Sequence, residues 1–184
     1  DLYGGGIWDH PQLGAYYNAP GRRRGTAFVS RRRLAEQVAR EVKSPSPTFN
    51  CVGPAGVGTG SLAGMRALHQ LSSFAHIWPF DNLDTVSRPL HLVEIFPSYY
   101  FALAGIKPVN GAHGERENIN QALACFGSDS VSADFQANGP DHDEADALIS
   151  AAALRWFSAQ SDFWSVPADA RAEGWIFGVK SATP

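Results

Sequence analysis

The stretch Leu90-His91-Leu92-Val93-Glu94-Ile95-Phe96-Pro97 decides the fold class. A short apolar run closed by a proline reads as an inner strand of a sheet, with one carboxylate, Glu94, set into it. On either side the hydrophobic period becomes helical. Downstream, Glu115 to Phe126 carries Ile119, Leu123 and Phe126 at helical spacing, with acids in its first turn and Gly127 after its end. Asp143 to Phe157, rich in alanine and leucine, is the clearest helix. Trp175-Ile176-Phe177-Gly178-Val179 supplies a closing strand after a turn at Glu173-Gly174. Upstream, the glycines from Gly53 to Gly60 lead to Ser61, a fitting N-cap for a helix that turns Leu62, Met65, Leu68 and Leu71 toward a core. Before it, Leu34, Val38 and Val42, with Glu36, Arg40 and Glu41 on other faces, predict an amphipathic helix ending ahead of Ser44-Pro45-Ser46-Pro47. Residues 1–30, rich in Gly, Pro, Tyr and Arg, show no sustained period and read as irregular. Strands interleaved with helices predict an α/β layer architecture.

The chain of 184 residues is 44% hydrophobic and 11% aromatic, enough for one sizeable core and against disorder. The sequence shows no run of eighteen apolar residues and no signal peptide, so the expectation is a protein without a membrane partner, cytoplasmic by default. Cys51 and Cys125 lie far apart, with no Cys or His companion at ligand spacing, and are expected to be buried thiols.

A net charge of −3 ordinarily counts against nucleic-acid binding, but the charge is unevenly spread. Residues 1–70 carry nine basic and four acidic side chains, whereas residues 120–184 carry three and nine. Two arginine triplets, Arg22-Arg23-Arg24 and Arg31-Arg32-Arg33, suit bidentate phosphate recognition, and they equally suit a solvated face or a subunit contact.

Glu94, between Val93 and Ile95, needs a partner, because an unpaired carboxylate among core neighbours is costly to desolvate. A basic side chain, a backbone donor, a proton or a metal ion would each serve. In Pro140-Asp141-His142-Asp143-Glu144-Ala145-Asp146-Ala147-Leu148, acids in a first turn complement the helix dipole, and Asp141 or His142 can cap. Asp143 and Asp146 share a face, with Ser150 four residues on, so two carboxylates and a hydroxyl can face one cleft. Such hard oxygen ligands favour Mg²⁺ or Mn²⁺ over zinc. The glycine stretch fits neither the phosphate-loop, the dinucleotide nor the nucleophile-elbow spacing, which argues against an ATPase, a dehydrogenase or a serine hydrolase. Its backbone N–H groups can serve a tight turn or hold a phosphate.

Four motifs in order, Val52-Gly53-Pro54 through Val57-Gly58-Thr59-Gly60-Ser61-Leu62-Ala63-Gly64-Met65, Val93-Glu94-Ile95-Phe96-Pro97, Asp143-Glu144-Ala145-Asp146-Ala147 and Glu173-Gly174-Trp175-Ile176-Phe177, give residues 48–178 a resemblance to the family known as domain of unknown function 429. That family is predicted to comprise nucleases of ribonuclease-H-like fold. The acidic helix motif also resembles the last acidic motif of Holliday-junction resolvases of the same superfamily. The resemblance implies a mixed sheet flanked by helices, with residues 48–184 as the C-terminal part of the domain and 1–47 as an irregular front segment plus one helix. It implies Mg²⁺ or Mn²⁺ held by Glu94 as strand carboxylate, Asp146 as late-helix ligand and Asp143 beside it, with the arginine triplets on nucleic acid. Paired metals activate water on one side of a phosphate and stabilise the leaving oxygen on the other. The superfamily's opening strand with its aspartate has no counterpart between Asp1 and Ser30. The expectation is therefore a domain incomplete at its front, or one that has lost its first ligand, with sheet edges that another subunit or chain would cover. A non-catalytic binding or assembly module with a degenerate site is the alternative expectation. A third is an enzyme handling a small phosphorylated metabolite at Gly56 to Ser61.

Overall fold

A computed structural model describes residues 12–180 apart from 13, 20, 49, 54, 55, 83–87, 108–111 and 138–142. The capping roles considered for Asp141 and His142 lie outside the described residues. The described chain is a mixed α/β fold. Its elements are α1 (Leu34–Ala39), α2 (Gly58–Leu71), β1 (Ala75–Ile77), β2 (Leu90–Leu92), α3 (Pro97–Leu103), α4 (Arg116–Cys125), α5 (Asp143–Ser158) and α6 (Ala170–Glu173).

The sheet is parallel and short. Ala75, His76 and Ile77 pair with Leu90, His91 and Leu92, and Trp78 N–H extends the ladder to the Leu92 carbonyl at 3.0 Å. Beyond β2 the chain makes one more parallel bridge, Glu94 with Ile176, and Phe177 N–H donates to the Glu94 carbonyl at 2.9 Å. The run from Leu90 therefore lies between β1 and the C-terminal segment, as an inner strand should. It is not buried like one, since Leu90 and His91 are exposed and burial falls instead on β1. The strand predicted over Trp175–Val179 shrinks to the bridge at Ile176, because Gly178 (φ +88°) turns the chain and Val179 N–H donates back to the Ile176 carbonyl.

Even positions of β1 point their backbone groups at β2, so those of Ala75 and Ile77 point outward. That outer edge is closed by the chain's own side chains. Ile77 N–H donates to Asp81 Oδ2 (2.9 Å), Arg88 Nη1 donates to the Ala75 carbonyl (3.2 Å), and Arg88 and Asp81 pair at 2.8 Å. This edge is blunted as a template for strand addition.

The core lies behind the sheet, among α3, α4 and α5. On α5, Ala145, Ile149, Ala152, Ala153 and Phe157 fall on one buried face, the recurrence expected of an amphipathic helix. Tyr99, Tyr100 and Phe101 of α3 are buried, and the Tyr100 hydroxyl donates to the Phe177 carbonyl at 2.8 Å. Burial and that bond tie α3 to the C-terminal segment. Gly105 (φ +80°) and Gly127 (φ +61°) end α3 and α4, where Ile106 N–H reaches the Phe101 carbonyl and Ser128 N–H reaches the Leu123 carbonyl.

Three further expectations need correction. α2 begins at Gly58 with Val57 as its N-cap, so Ser61 sits inside the first turn rather than capping it. Cys51 is buried, but Cys125 is exposed, because the face of α4 set by Ile119, Leu123 and Phe126 excludes it. Glu36, assigned to a polar face, is 1% exposed.

Candidate functional site

A cleft of about 1060 Å³ lies between the front of the chain and the sheet, and Arg31, Arg32, Arg33, Glu36, Glu94 and Glu173 all reach its wall. Two of the sequence-predicted groups meet here across 61 residues: Arg33 Nη1 donates to Glu94 Oε2 at 2.8 Å and Nη2 to Glu94 Oε1 at 2.5 Å. This is the bidentate geometry that favours arginine over lysine.

The backbone sets up this meeting. Arg33 is the N-cap of α1, which aims its side chain across the helix start, and the parallel bridge to Ile176 holds Glu94 at the facing strand end. Arg33 Nε donates to Glu36 Oε1 at 3.0 Å, while Glu36 Oε2 accepts Arg33's own N–H at 3.2 Å, as a third-position glutamate does at a helix start. Arg33 Nη1 also reaches the Glu173 carbonyl at 3.3 Å, and Leu34 N–H donates to Glu173 Oε2 at 2.8 Å. Burial works against the Arg33 charge, but the hydrogen bonds and charges of Glu94 and Glu36 outweigh it and hold the guanidinium pKa above its ordinary value. Burial likewise pushes the Glu36 carboxyl up, and Arg33 offsets only part of that shift.

The remaining predicted residues are placed differently. An Arg32 guanidinium N–H donates to the Pro45 carbonyl, and the Arg31 guanidinium lies over the Tyr16 ring at 5.5 Å. Arg22, Arg23 and Arg24 are exposed and do not line the cleft, and Arg24 stacks over Phe28 at 4.3 Å. Asp143 is exposed and Asp146 half-buried in the first turn of α5. Ser150, one turn on, is buried with no protein partner for its hydroxyl. Neither aspartate lines the cleft that Glu94 faces.

The donor set does not fit a divalent cation as it stands. Both Glu94 oxygens accept from Arg33, and among the described residues no group of three or more His, Cys, Asp or Glu side chains could hold a metal ion. Two N–H groups of the glycine turn are used internally: Gly56 N–H goes to the Gly53 carbonyl and Gly58 N–H to the Asn50 carbonyl, both at 2.9 Å. A Cβ at Gly58 would meet Thr48 O at 2.4 Å and Cys51 Sγ at 2.5 Å, so close packing requires this glycine. Burial pushes the Cys51 thiol up, away from the reactive thiolate.

Sequence reasoning missed Glu36 and Glu173 as parts of the site. The spacing of Glu36 three residues after Arg33 was the available signal for the first. The second depends on a contact 139 residues long and leaves no local trace. No protein-family model matches the chain, and comparison with curated proteins and with solved structures finds no match.

Proposed function

We propose that the chain is a ribonuclease-H-like domain whose cleft receives the phosphodiester backbone of a nucleic acid, with Glu94 as its strand carboxylate. One observation carries the reading: the arginine triplet 31–33 and Glu94, singled out separately in the sequence, line the same cleft, and Arg33 grips Glu94 directly. The cleft also exposes apolar groups, Met65 and Phe80 among them, on which bases can pack. No helix among the described residues is long and apolar enough to cross a membrane.

In its hydrolytic form the proposal is a Mg²⁺- or Mn²⁺-dependent nuclease, which requires that Arg33 release Glu94 and that Asp143 and Asp146, which do not line the cleft, be brought to it. The capture of Glu94 by Arg33 favours a second reading, a binding module without catalysis. Labelled single-stranded, duplex and branched substrates incubated with Mg²⁺ or Mn²⁺, beside an Asp146→Asn variant, separate the two. Metal-dependent cleavage lost in the variant supports the nuclease. Binding equal in both proteins, without cleavage, supports the module. Neither cleavage nor binding overturns the proposal.

A further inference from the structure

Arg33 grips two carboxylates that differ in one respect. The Glu36 side chain is 1% exposed and takes Nε from the inside, whereas the Glu94 side chain is 42% exposed and takes the two terminal nitrogens on the cleft side. The inner partner is fixed by packing and by its second bond to the Arg33 backbone. Among the described residues the outer one is held by the ion pair, and its carboxylate, unlike the 16%-exposed Arg33, is open on the cleft side, where an entering anion can compete with it for the guanidinium. The two terminal nitrogens present to Glu94 the same parallel pair of N–H donors that a phosphate oxygen pair accepts. Beside them stands Gly174, at φ +83°, where a Cβ would come within 3.3 Å of Arg33 Nη1 and 3.2 Å of Phe80 Cζ. The missing side chain leaves the flank of the fork uncrowded.

We infer that the Arg33 fork is a phosphate-binding site that Glu94 occupies as an internal competitor, so that a phosphate group entering the cleft displaces the carboxylate. The ligand class is a phosphate group, carried by a nucleic-acid backbone or free. This rests on reading the cleft as a phosphodiester site, and it accounts for why the carboxylate is unavailable to a cation while the fork is engaged.

The test is a double-mutant cycle on the full chain, read by fluorescence anisotropy with a labelled single-stranded oligonucleotide and by calorimetry with inorganic phosphate. Glu94→Gln removes the competitor and is expected to tighten oligonucleotide binding by about fivefold, the order set by one ion pair whose carboxylate is partly exposed. Arg33→Lys combined with Glu94→Gln keeps the net charge of the single variant but lacks the fork, and the gain should vanish. Circular dichroism melts show whether each variant is folded, and Arg33→Gln replaces the lysine variant if that one is not, with Arg22→Gln in the same Glu94→Gln background as its charge-matched control. A gain with the oligonucleotide alone assigns the fork to a nucleic-acid backbone. A gain with phosphate as well assigns it to phosphate groups in general. A gain that survives in the double variant reflects lost negative charge and overturns the site, as does unchanged or weaker binding in Glu94→Gln. Oligonucleotide binding by the wild type that is indifferent to both positions sinks the fork but leaves the proposed function standing.

Discussion

Between Pro97 and Val179, α3, α4 and α5 bury Tyr100, Phe126 and Phe157 among one another, with Phe157 and Phe163 centroids 4.5 Å apart and Phe157 and Phe126 5.7 Å apart. Between Gly14 and Phe96, by contrast, α2 buries only Gly58 and Leu62, and α1 joins the core through two small residues, Ala35 and Ala39, and is fastened at its start through Arg33 and Glu173. The first region is held by non-directional apolar packing, which a polar ligand in the cleft cannot disturb. The second adds, at the start of α1, charge-assisted hydrogen bonds that an entering anion can exchange. The cleft nevertheless draws on both stretches of chain, since Glu173 and Gly174 stand beside Arg33.

Substitutions that strike one region and spare the other sharpen this contrast. The largest effect is expected from Phe157→Ala, which removes a ring at the centre of the aromatic cluster and should cost about 3–5 kcal/mol in chemical denaturation. A loss below about 1 kcal/mol would mean that the cluster is not the scaffold. Arg33→Ala leaves Glu36 buried without its cation and should cost about 2 kcal/mol. Hydrogen exchange should rise in α1 and not in α5; equal acceleration of both would break the division. Arg88→Ala uncovers the β1 edge, with an expected loss of about 1 kcal/mol and concentration-dependent association in sedimentation. A variant that stays monomeric shows that the edge needs no such cover.

The smallest expected effect is a pH dependence. Burial holds the folded Glu36 carboxyl above its ordinary value of 4.5, so the folded state binds more protons than the unfolded state between that value and the raised one. Stability from this group is therefore lost as pH rises through that window, and the cost stays in full above it. Glu36→Gln has no such titration. Acidification from neutrality should thus favour the wild type over the variant, and a stability difference flat in pH contradicts the assignment.

How much could be read from the sequence follows the same division. Helices α4 and α5 fall within a residue or so of their expected ends, because an apolar face and an acidic first turn act locally, and because Gly127 closes α4. β1 went unread, since three residues leave too little period. α3 was hidden behind Pro97, which reads as the end of a strand and serves as the first residue of a helix. Glu94 does take a basic partner, one of the candidates its neighbours suggest, but the core surroundings expected of it are not there, since Glu94 and Ile95 are exposed. That the partner is Arg33 was not legible, because the pairing is made by the fold across 61 residues. Glu36 falls off the expected apolar face of α1, and its burial is not legible locally for the same reason: it depends on what α1 packs against.

The central claim, that Arg33 exchanges Glu94 for a phosphate group within the cleft, is tested most directly by arginine side-chain resonances. In protein labelled with ¹⁵N-arginine, the Arg33 Nε–Hε signal, assigned through Arg33→Lys, is followed while a single-stranded oligonucleotide is added. The account predicts a saturable shift of Arg33, with Arg31 and Arg32 moving beside it and Arg22 to Arg24 responding less. Saturable binding that moves only the first triplet and leaves Arg33 unshifted would contradict it.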